Sequence, residues 1–211
     1  MMHCIGYIKF GNTYPIKMKN GGQKEMVSFT VVDGFGTNYS FQMWPDDPQH
    51  AEVAAIIKDA RRQPVQVDVA SHVARLRKFQ DGSEKPQTNF TATNVQFLSG
   101  SITPRVWCSG TVQYGGAYEV GGKDRSKKIM LSFSVADEIA NSYAFQMWPD
   151  DPQHSWLAPL IAQARRQPIE VDVASYVARL RKFKDGTEKP QTNFVATNVV
   201  FPGLSQSEQS A

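Results

Sequence analysis

The sequence predicts an all-β fold with one short helix per domain, built from two tandem five-stranded barrels. Two observations predict it: a gapless internal repeat, and apolar residues that alternate with polar ones along much of each repeat. The chain has 211 residues, of which 41% are hydrophobic, and this is enough for two cores of about 100 residues each. We therefore expect two small domains of one architecture.

The repeat has a constant offset of 104 residues. FQMWPDDPQH at 41–50 recurs at 145–154, and EKPQTNF at 84–90 recurs at 188–194. A repeat of this length is a whole domain, because solenoid repeats are about 20–50 residues long. The predicted organisation is a first domain at 1–98, a linker at 99–105, a second domain at 106–203 and a flexible tail at 204–211.

Three strands are predicted in the first part of each repeat. In the first copy, residues 4–10 are rich in β-formers, and we expect this strand to end at Gly11. The Asn-Gly-Gly run at 20–22 then indicates a turn. The next two strands alternate, and their predicted core residues are Val27, Phe29, Val31, Tyr39, Phe41 and Met43.

A helix is predicted after the third strand. We expect Asp47 to cap it, and Pro48 suits its first turn. Apolar residues then recur at helical spacing until Pro64 ends the helix. In the second repeat, Pro159 leaves two alternatives open: a helix that starts later with Ser155 as its cap, or a kinked helix.

Two further strands complete the repeat. Residues 65–79 form a long strand, predicted to be bulged near 70–72, and Asp81-Gly82 marks a tight turn before a last strand at 87–97. Three strands, a helix and two strands follow one another in the order of the OB-fold, a small five-stranded barrel. The fold prediction is thus two tandem OB domains.

The hairpin formed by these last two strands carries the main candidate site. Side chains alternate along a strand, so Arg75, Arg77 and Phe79 share one face. Such cations neutralise phosphates and such a ring stacks on a base. The predicted nucleic-acid-binding residues of the two hairpins are Arg75, Arg77, Lys78, Phe79, Lys85, Arg179, Arg181, Lys182, Phe183 and Lys189, with Lys184 adding charge. The alternative is a solvated basic strand with Phe79 in the core.

Trp44 and its counterpart Trp148 are predicted to face outward at the end of the third strand, because their parity is opposite to that of Phe41 and Met43. An outward tryptophan on a barrel is a candidate stacking platform for a base. The alternative is that each tryptophan packs against the start of the helix.

The first loop of each repeat is predicted to be basic and close to a binding face. Its residues are Tyr14, Lys17, Lys19 and Lys24 in the first copy and Tyr118, Lys123, Arg125, Lys127 and Lys128 in the second. The alternative for each cation is an ordinary solvated side chain.

No catalytic centre, cofactor or metal site is predicted. Asp46, Asp47 and His50 could bind a divalent cation for hydrolysis, but the start of a helix explains them better. Cys4 and Cys108 lack the spacing of metal ligands and are expected to be buried thiols. Without a signal-peptide pattern or a long apolar run, we expect a cytoplasmic protein.

The segment VQVDVASHVARLRKFQDGSEKPQTNFTATNVQFL at 65–98 resembles the C-terminal half of the bacterial single-stranded DNA-binding protein (SSB) domain. The resemblance covers nearly all of each repeat, although only the Arg-x-Arg-Lys-aromatic hairpin is specific. It implies that Phe79 and Phe183 stack on bases and that Trp44 and Trp148 match the family's aromatic residue at the end of strand three. It also implies that the family's basic pair before the stacking residue corresponds to Arg75 and Arg77, and to Arg179 and Arg181. Two domains in one chain look like the tandem variant of the family, which forms a homodimer presenting four OB domains.

The sequence departs from that family in three places. The glycine of strand four is replaced near 70–71, Asn38 or Tyr39 stands where the family has an aromatic residue that opens strand three, and the tail carries a single acid, Glu208. Recruitment of repair partners through an acidic tip is therefore not expected.

The predicted function is sequence-independent binding of single-stranded DNA in replication, recombination or repair. The net charge of +3 suits this partner without requiring it. Three alternatives stay open at this point: an RNA-binding OB protein, a protein-interaction or assembly module anchored by the two tryptophans, and a metal-dependent nuclease.

Overall fold

The structure is a computed structural model that describes residues 1–18, 21–121, 127–183 and 185–203. The predicted tail at 204–211 lies outside the described residues. So do four of the cations singled out above, namely Lys19, Lys123, Arg125 and Lys184.

The chain divides into two compact units. One contains Met2–Val106 and Ala178–Gln191, and the other contains Met1, Trp107–Val177 and Thr192–Ala211. The domain bounds at 1–98 and 106–203 stay a prediction.

The first repeat contains five strands and one helix. In chain order they are β1 (Met2–Lys17), β2 (Gln23–Val32), β3 (Asn38–Met43), α1 (His50–Ile56), β4 (Pro64–Lys78) and β5 (Glu84–Phe97).

Pairing between these strands closes a barrel. β1 pairs antiparallel with both β2 and β4, β2 pairs antiparallel with β3, and β4 pairs antiparallel with β5. A short parallel pairing of β3 with β5, at Phe41 and Phe90, completes the circuit. The strand order around the barrel is therefore β1-β2-β3-β5-β4, with the helix between the third and fourth strands along the chain.

The second repeat has the same elements in the same order. They are β6 (Arg105–Gly121), β7 (Lys127–Ala136), β8 (Ser142–Met147), α2 (His154–Ile161), β9 (Pro168–Lys182) and β10 (Glu188–Val200). β6 pairs with β7 and β9, β7 pairs with β8, and β8 runs parallel to β10, which lies next to β9. Both repeats therefore have the OB-fold order, and the predicted fold class is confirmed.

Alternation fills each core with side chains from one face of its strands. The six residues predicted for the core from β2 and β3 are all fully buried. The rings of Phe41 and Tyr39 pack against Phe90. The Phe90 ring centroid lies 5.7 Å from that of Phe41 and 5.6 Å from that of Tyr39. The second repeat places Phe194 5.7 Å from Phe145 in the same way. Core packing is thus duplicated together with the sequence.

The first strand is longer than predicted, because it continues past Gly11 to Lys17. A β-bulge makes this continuation compatible with the core. Ile8 pairs with Val31 but Phe10 pairs with Thr30, so Lys9 is an extra residue in β1. The bulge reverses which positions face inward, because an added residue shifts the alternation by one.

Gly11 lies at the first inward position after this bulge. A Cβ atom there would lie 2.8 Å from the carbonyl oxygen of Ile57 and also against the Ile57 side chain. Ile57 follows directly after α1 and is fully buried. Glycine is required at this place because the end of the helix packs onto the strand backbone. Gly115 meets Ile161 in the same way in the second repeat.

The helix caps differ from the prediction. Gln49, and not Asp47, is the N-cap of α1, and no side chain caps it. Asp47 Oδ1 accepts a hydrogen bond from the Gln49 amide at 2.9 Å, so Asp47 stabilises the turn that precedes the helix. In the second repeat α2 begins at the equivalent residue, His154, and contains Pro159, so the alternative of a later start is wrong.

Both cysteines are buried free thiols. Burial raises the pKa of Cys108 to about 12 and raises the pKa of Cys4 further. Within the described residues, no helix is long and apolar enough to cross a membrane.

Replacing Gly11 by Ala should destabilise the first barrel. The added methyl group overpacks the contact with Ile57, a change that typically costs about 1–3 kcal/mol of unfolding free energy. Urea unfolding followed by circular dichroism measures it as a lower midpoint. Gly121→Ala is the matched control, because a Cβ atom at Gly121 meets nothing within 4 Å. Equal midpoints for the two variants would contradict the steric argument.

The thiols should be unreactive in the folded protein. The thiolate is the reactive form, and burial disfavours it in both repeats. We expect negligible labelling by Ellman's reagent at pH 8 in buffer and rapid labelling of both cysteines in denaturing urea. Labelling of the native protein at the rate of a free cysteine would show that the thiols are accessible.

Candidate nucleic-acid interface

A cavity of about 660 Å³ lies on the outer surface of the first barrel. It is bordered by residues from all five strands. The lining side chains are Phe10, Tyr14, Met26, Ser28, Thr30, Ser40, Gln42, Arg75, Leu76, Arg77, Lys78, Gln87 and Asn89. We call this cavity the groove.

The floor of the groove is polar. Ser28 and Thr30 on β2 and Ser40 and Gln42 on β3 have parity opposite to the core residues, so they line the groove while their neighbours fill the barrel. Hydroxyl and carboxamide groups both donate and accept hydrogen bonds. The floor can therefore meet the polar edges of a base without a charge of its own.

One wall of the groove is cationic. It is the half of the β4–β5 hairpin that contains Arg75, Arg77 and Lys78. Arg77 Nη1 donates a hydrogen bond at 3.0 Å to Oε1 of Gln87, and this bond orients the guanidinium along the hairpin. The structure thus brings together three of the predicted binding residues on one wall.

Phe79 lies next to this wall, at the end of the hairpin. Its ring is 41% exposed, so the alternative of a core position is wrong. The Arg77 guanidinium carbon and the Lys85 ammonium nitrogen each lie 5.7 Å from the ring centroid. Two cations within cation–π range of an exposed ring can hold a phosphate beside a stacked base. Phe79 and Lys85 are nevertheless not among the side chains that line the groove.

The turn of the hairpin is fixed by its own side chains. Asp81 Oδ1 accepts hydrogen bonds from the Ser83 hydroxyl at 2.7 Å and from the Ser83 amide at 2.9 Å. These bonds lower the pKa of the Asp81 carboxyl. Gly82 supplies the positive φ that the turn requires, 79°. The turn is therefore stabilised by side chains of the hairpin itself.

The hairpin of the second repeat has the same local geometry. Arg181 Nη1 donates to Gln191 Oε1 at 3.1 Å, and Phe183 is 42% exposed. Arg181 and Lys189 lie 5.5 Å and 5.8 Å from the centroid of the Phe183 ring. In sequence, ten of the thirteen groove positions are identical in the two repeats.

The two tryptophans are only partly exposed. Trp44 is 41% exposed and Trp148 is half-buried. Trp44 is not among the side chains that line the groove, and its role as a stacking platform stays a prediction.

The first loop is shorter than predicted, because β1 and β2 extend into it. Tyr14 and Lys17 lie on β1, and Lys24 lies on β2. Phe10 was therefore not predicted as a groove residue, and the prediction that Tyr14 lies in a loop is wrong. In the second repeat, Lys127 lies on β7 and forms an exposed ion pair with Glu119 at 2.8 Å.

The Asp46, Asp47 and His50 cluster is not arranged as a metal site. Among the described residues, no group of three or more His, Cys, Asp or Glu side chains is placed to hold a metal ion. Asp47 is engaged in the turn before the helix.

No family model and no curated protein matches the chain in sequence. Similarity is found instead among solved structures. The wild-type single-stranded DNA binding protein from Thermus aquaticus is 15% identical, with a TM-score of 0.50, and the match covers 97% of this chain and 93% of that one. A deletion mutant of that protein matches at 14% identity and the same TM-score, over 97% and 94% of the two chains.

These matches cover 97% of the chain, so they extend over both repeats. The chain therefore has two tandem OB domains, a fold similar to that of the single-stranded DNA binding protein from Thermus aquaticus. The resemblance stated from the hairpin sequence is confirmed at the level of the fold.

Proposed function

We propose that this chain binds single-stranded DNA through base stacking and phosphate neutralisation, without reading its sequence. The observation that carries the proposal is the groove, in which a wall with Arg75, Arg77 and Lys78 faces a polar floor and leads to the exposed ring of Phe79. A single strand presents phosphates and bases side by side, and these surfaces match them.

The local charge of the groove supports this proposal more strongly than the net charge. The chain as a whole has a net charge of only +3. The thirteen side chains that line the groove include three cations and no carboxylate. A phosphate in the groove therefore meets cations but no carboxylate on the lining itself.

The duplication supports two binding sites on one chain. The hairpin rings, the arginine hydrogen bonds and ten of thirteen groove residues recur in the second repeat. A strand long enough to reach both sites binds the second at a high effective concentration. Affinity should therefore rise steeply at the oligonucleotide length that spans both repeats.

The cellular role we propose is the protection of single-stranded DNA in replication, recombination or repair. We also propose a homodimer with four OB domains, as the resemblance implies. Light scattering of the purified protein at several concentrations tests it directly, and a monomer at every concentration would contradict it.

Binding to oligo-dT should be tight and strongly dependent on salt. Each phosphate neutralised on a single strand contributes a slope of about −0.7 in log K against log salt, so four cations on one hairpin give about −3. Fluorescence titrations at several NaCl concentrations from roughly 50 to 300 mM measure this slope, because log K falls linearly with log salt when bound phosphates release their counterions. Competition with a duplex and with an RNA of matched length and sequence measures the preference for single-stranded DNA over each of them.

A flat salt dependence, or equal affinity for the duplex, would refute single-strand binding through this groove. Preference for the RNA oligomer would instead support the RNA-binding alternative.

Replacing Phe79 and Phe183 by Ala should weaken binding by a few kcal/mol in total, because each stacked base contributes about 1–3 kcal/mol. Phe35→Ala is the matched control, since Phe35 is 71% exposed in the turn after β2 and does not line the groove. Isothermal titration with oligo-dT gives both values. If the double variant and the control bind alike, the hairpin rings do not stack on bases.

A further inference from the structure

Two aromatic side chains of β1 line the groove together with the cationic hairpin. Phe10 is 52% exposed and Tyr14 is 45% exposed, so neither contributes to the core. They pair across β1 and β2 with Thr30 and Met26, which also line the groove. These rings, unlike that of Phe79, are part of the groove surface itself.

The bulge at Lys9 puts them there. Without the extra residue, Phe10 would keep the inward parity of Ile8, which is buried. After the bulge, Gly11 faces the helix, while Phe10, Asn12 and Tyr14 face outward. Bulges commonly re-aim side chains next to binding sites.

The second repeat also places two aromatic side chains on the outer face of its first strand, although the strand sequence differs. Its bulge lies between Val112 and Tyr114, and Tyr114 pairs with Ser134. Tyr114 and Tyr118 are 51% and 50% exposed. Two copies of one strand therefore present two aromatic rings each at matching positions.

Divergence between the copies makes this agreement informative. Among the bulged and outward positions, Lys9 is replaced by Gln113 and Asn12 by Gly116. The aromatic character is kept at both remaining positions, as Phe10 with Tyr114 and Tyr14 with Tyr118. A ring that stays exposed to water gains little from burial, so its retention at both positions is consistent with a binding role. The rings are retained although the neighbouring outward positions of the same strand have changed.

We propose that Phe10 and Tyr14, and Tyr114 and Tyr118 in the second repeat, are base-stacking residues. This inference rests on the proposed function and adds an aromatic wall to it. Phosphates lie along the cationic hairpin and bases turn toward β1. Residues four apart on a strand are separated by about 13 Å, so the two rings of one strand hold two different bases and do not sandwich one.

The test compares a base-bearing strand with one that lacks bases. The full-length variant Phe10→Leu, Tyr14→Leu, Tyr114→Leu, Tyr118→Leu keeps apolar bulk but removes the π-faces. Affinity is measured for oligo-dT and for an abasic oligonucleotide of the same length. The wild type should prefer oligo-dT, and the leucine variant should lose at least about tenfold of that preference. Its affinity for the abasic strand should change by less than about threefold, because the cations remain.

Two controls accompany this variant. Exchanging one ring for another, with Phe10→Tyr, Tyr14→Phe, Tyr114→Phe and Tyr118→Phe, should rescue the base preference. Phe35→Leu removes an exposed ring that does not line the groove and should leave the preference at the wild-type value. Circular dichroism and the molar mass are recorded for every variant.

A measurement without mutation covers the case in which the leucine variant fails to fold. Oligonucleotides containing 5-iodouracil are photocrosslinked to the wild-type protein, and the peptides are identified by mass spectrometry. Crosslinks at Phe10 or Tyr14, and at Tyr114 or Tyr118, support the proposal. Crosslinks confined to the hairpin rings overturn it.

The possible results distinguish failure of the aromatic stacking residues on β1 from failure of single-stranded DNA binding itself. If the wild type does not bind oligo-dT, the proposed function fails and this inference fails with it. If the wild type binds and the leucine variant keeps the full base preference, only the inference fails. A leucine variant that changes molar mass but not base preference also overturns it, since the rings would then serve an interface between copies.

Discussion

Each barrel closes through its first strand, and this strand has to satisfy two neighbours in succession. β1 pairs with β4 from Met2 to Tyr7 and with β2 from Tyr7 to Lys17. The change of partner coincides with the bulge at Lys9 and with the close approach of Ile57 to Gly11. Barrel closure, helix packing and the direction of the groove-facing rings therefore depend on the same few residues.

Alternation predicted most of the barrel because it follows directly from side-chain geometry. Val27, Phe29 and Val31, and the matching residues of β3, are buried as their spacing indicates. The predicted fold needed only this pattern and the duplication, since the order of elements identifies the OB topology.

The features that were not predicted depart from simple alternation or depend on residues distant in the sequence. Gly11 suggested the end of a strand, whereas it marks the place where Ile57, directly after α1, packs onto β1. These two residues are too far apart in the sequence for a local pattern to show the contact. The bulge inverted the parity of Phe10 and Tyr14, so alternation counted from Ile8 could not place them in the groove. Aspartate is a common N-cap residue, but the Asp47 carboxylate accepts the Gln49 amide in the turn that precedes the helix.

The duplication also has a consequence for how the chain reaches its native state. Pairing of β1 with β4 closes a loop of more than fifty residues, from Tyr7 to Pro64. Folds with such non-local pairing form slowly, in roughly milliseconds to seconds. VDVAS, VARLRKF and EKPQTNF are identical in both repeats, so β4 and β9 offer nearly the same edge to an unpaired first strand. Exchange of strands between repeats is then a competing route to misassembly. The divergent first forty residues of each repeat are the part of the chain where correct and exchanged pairings differ in energy.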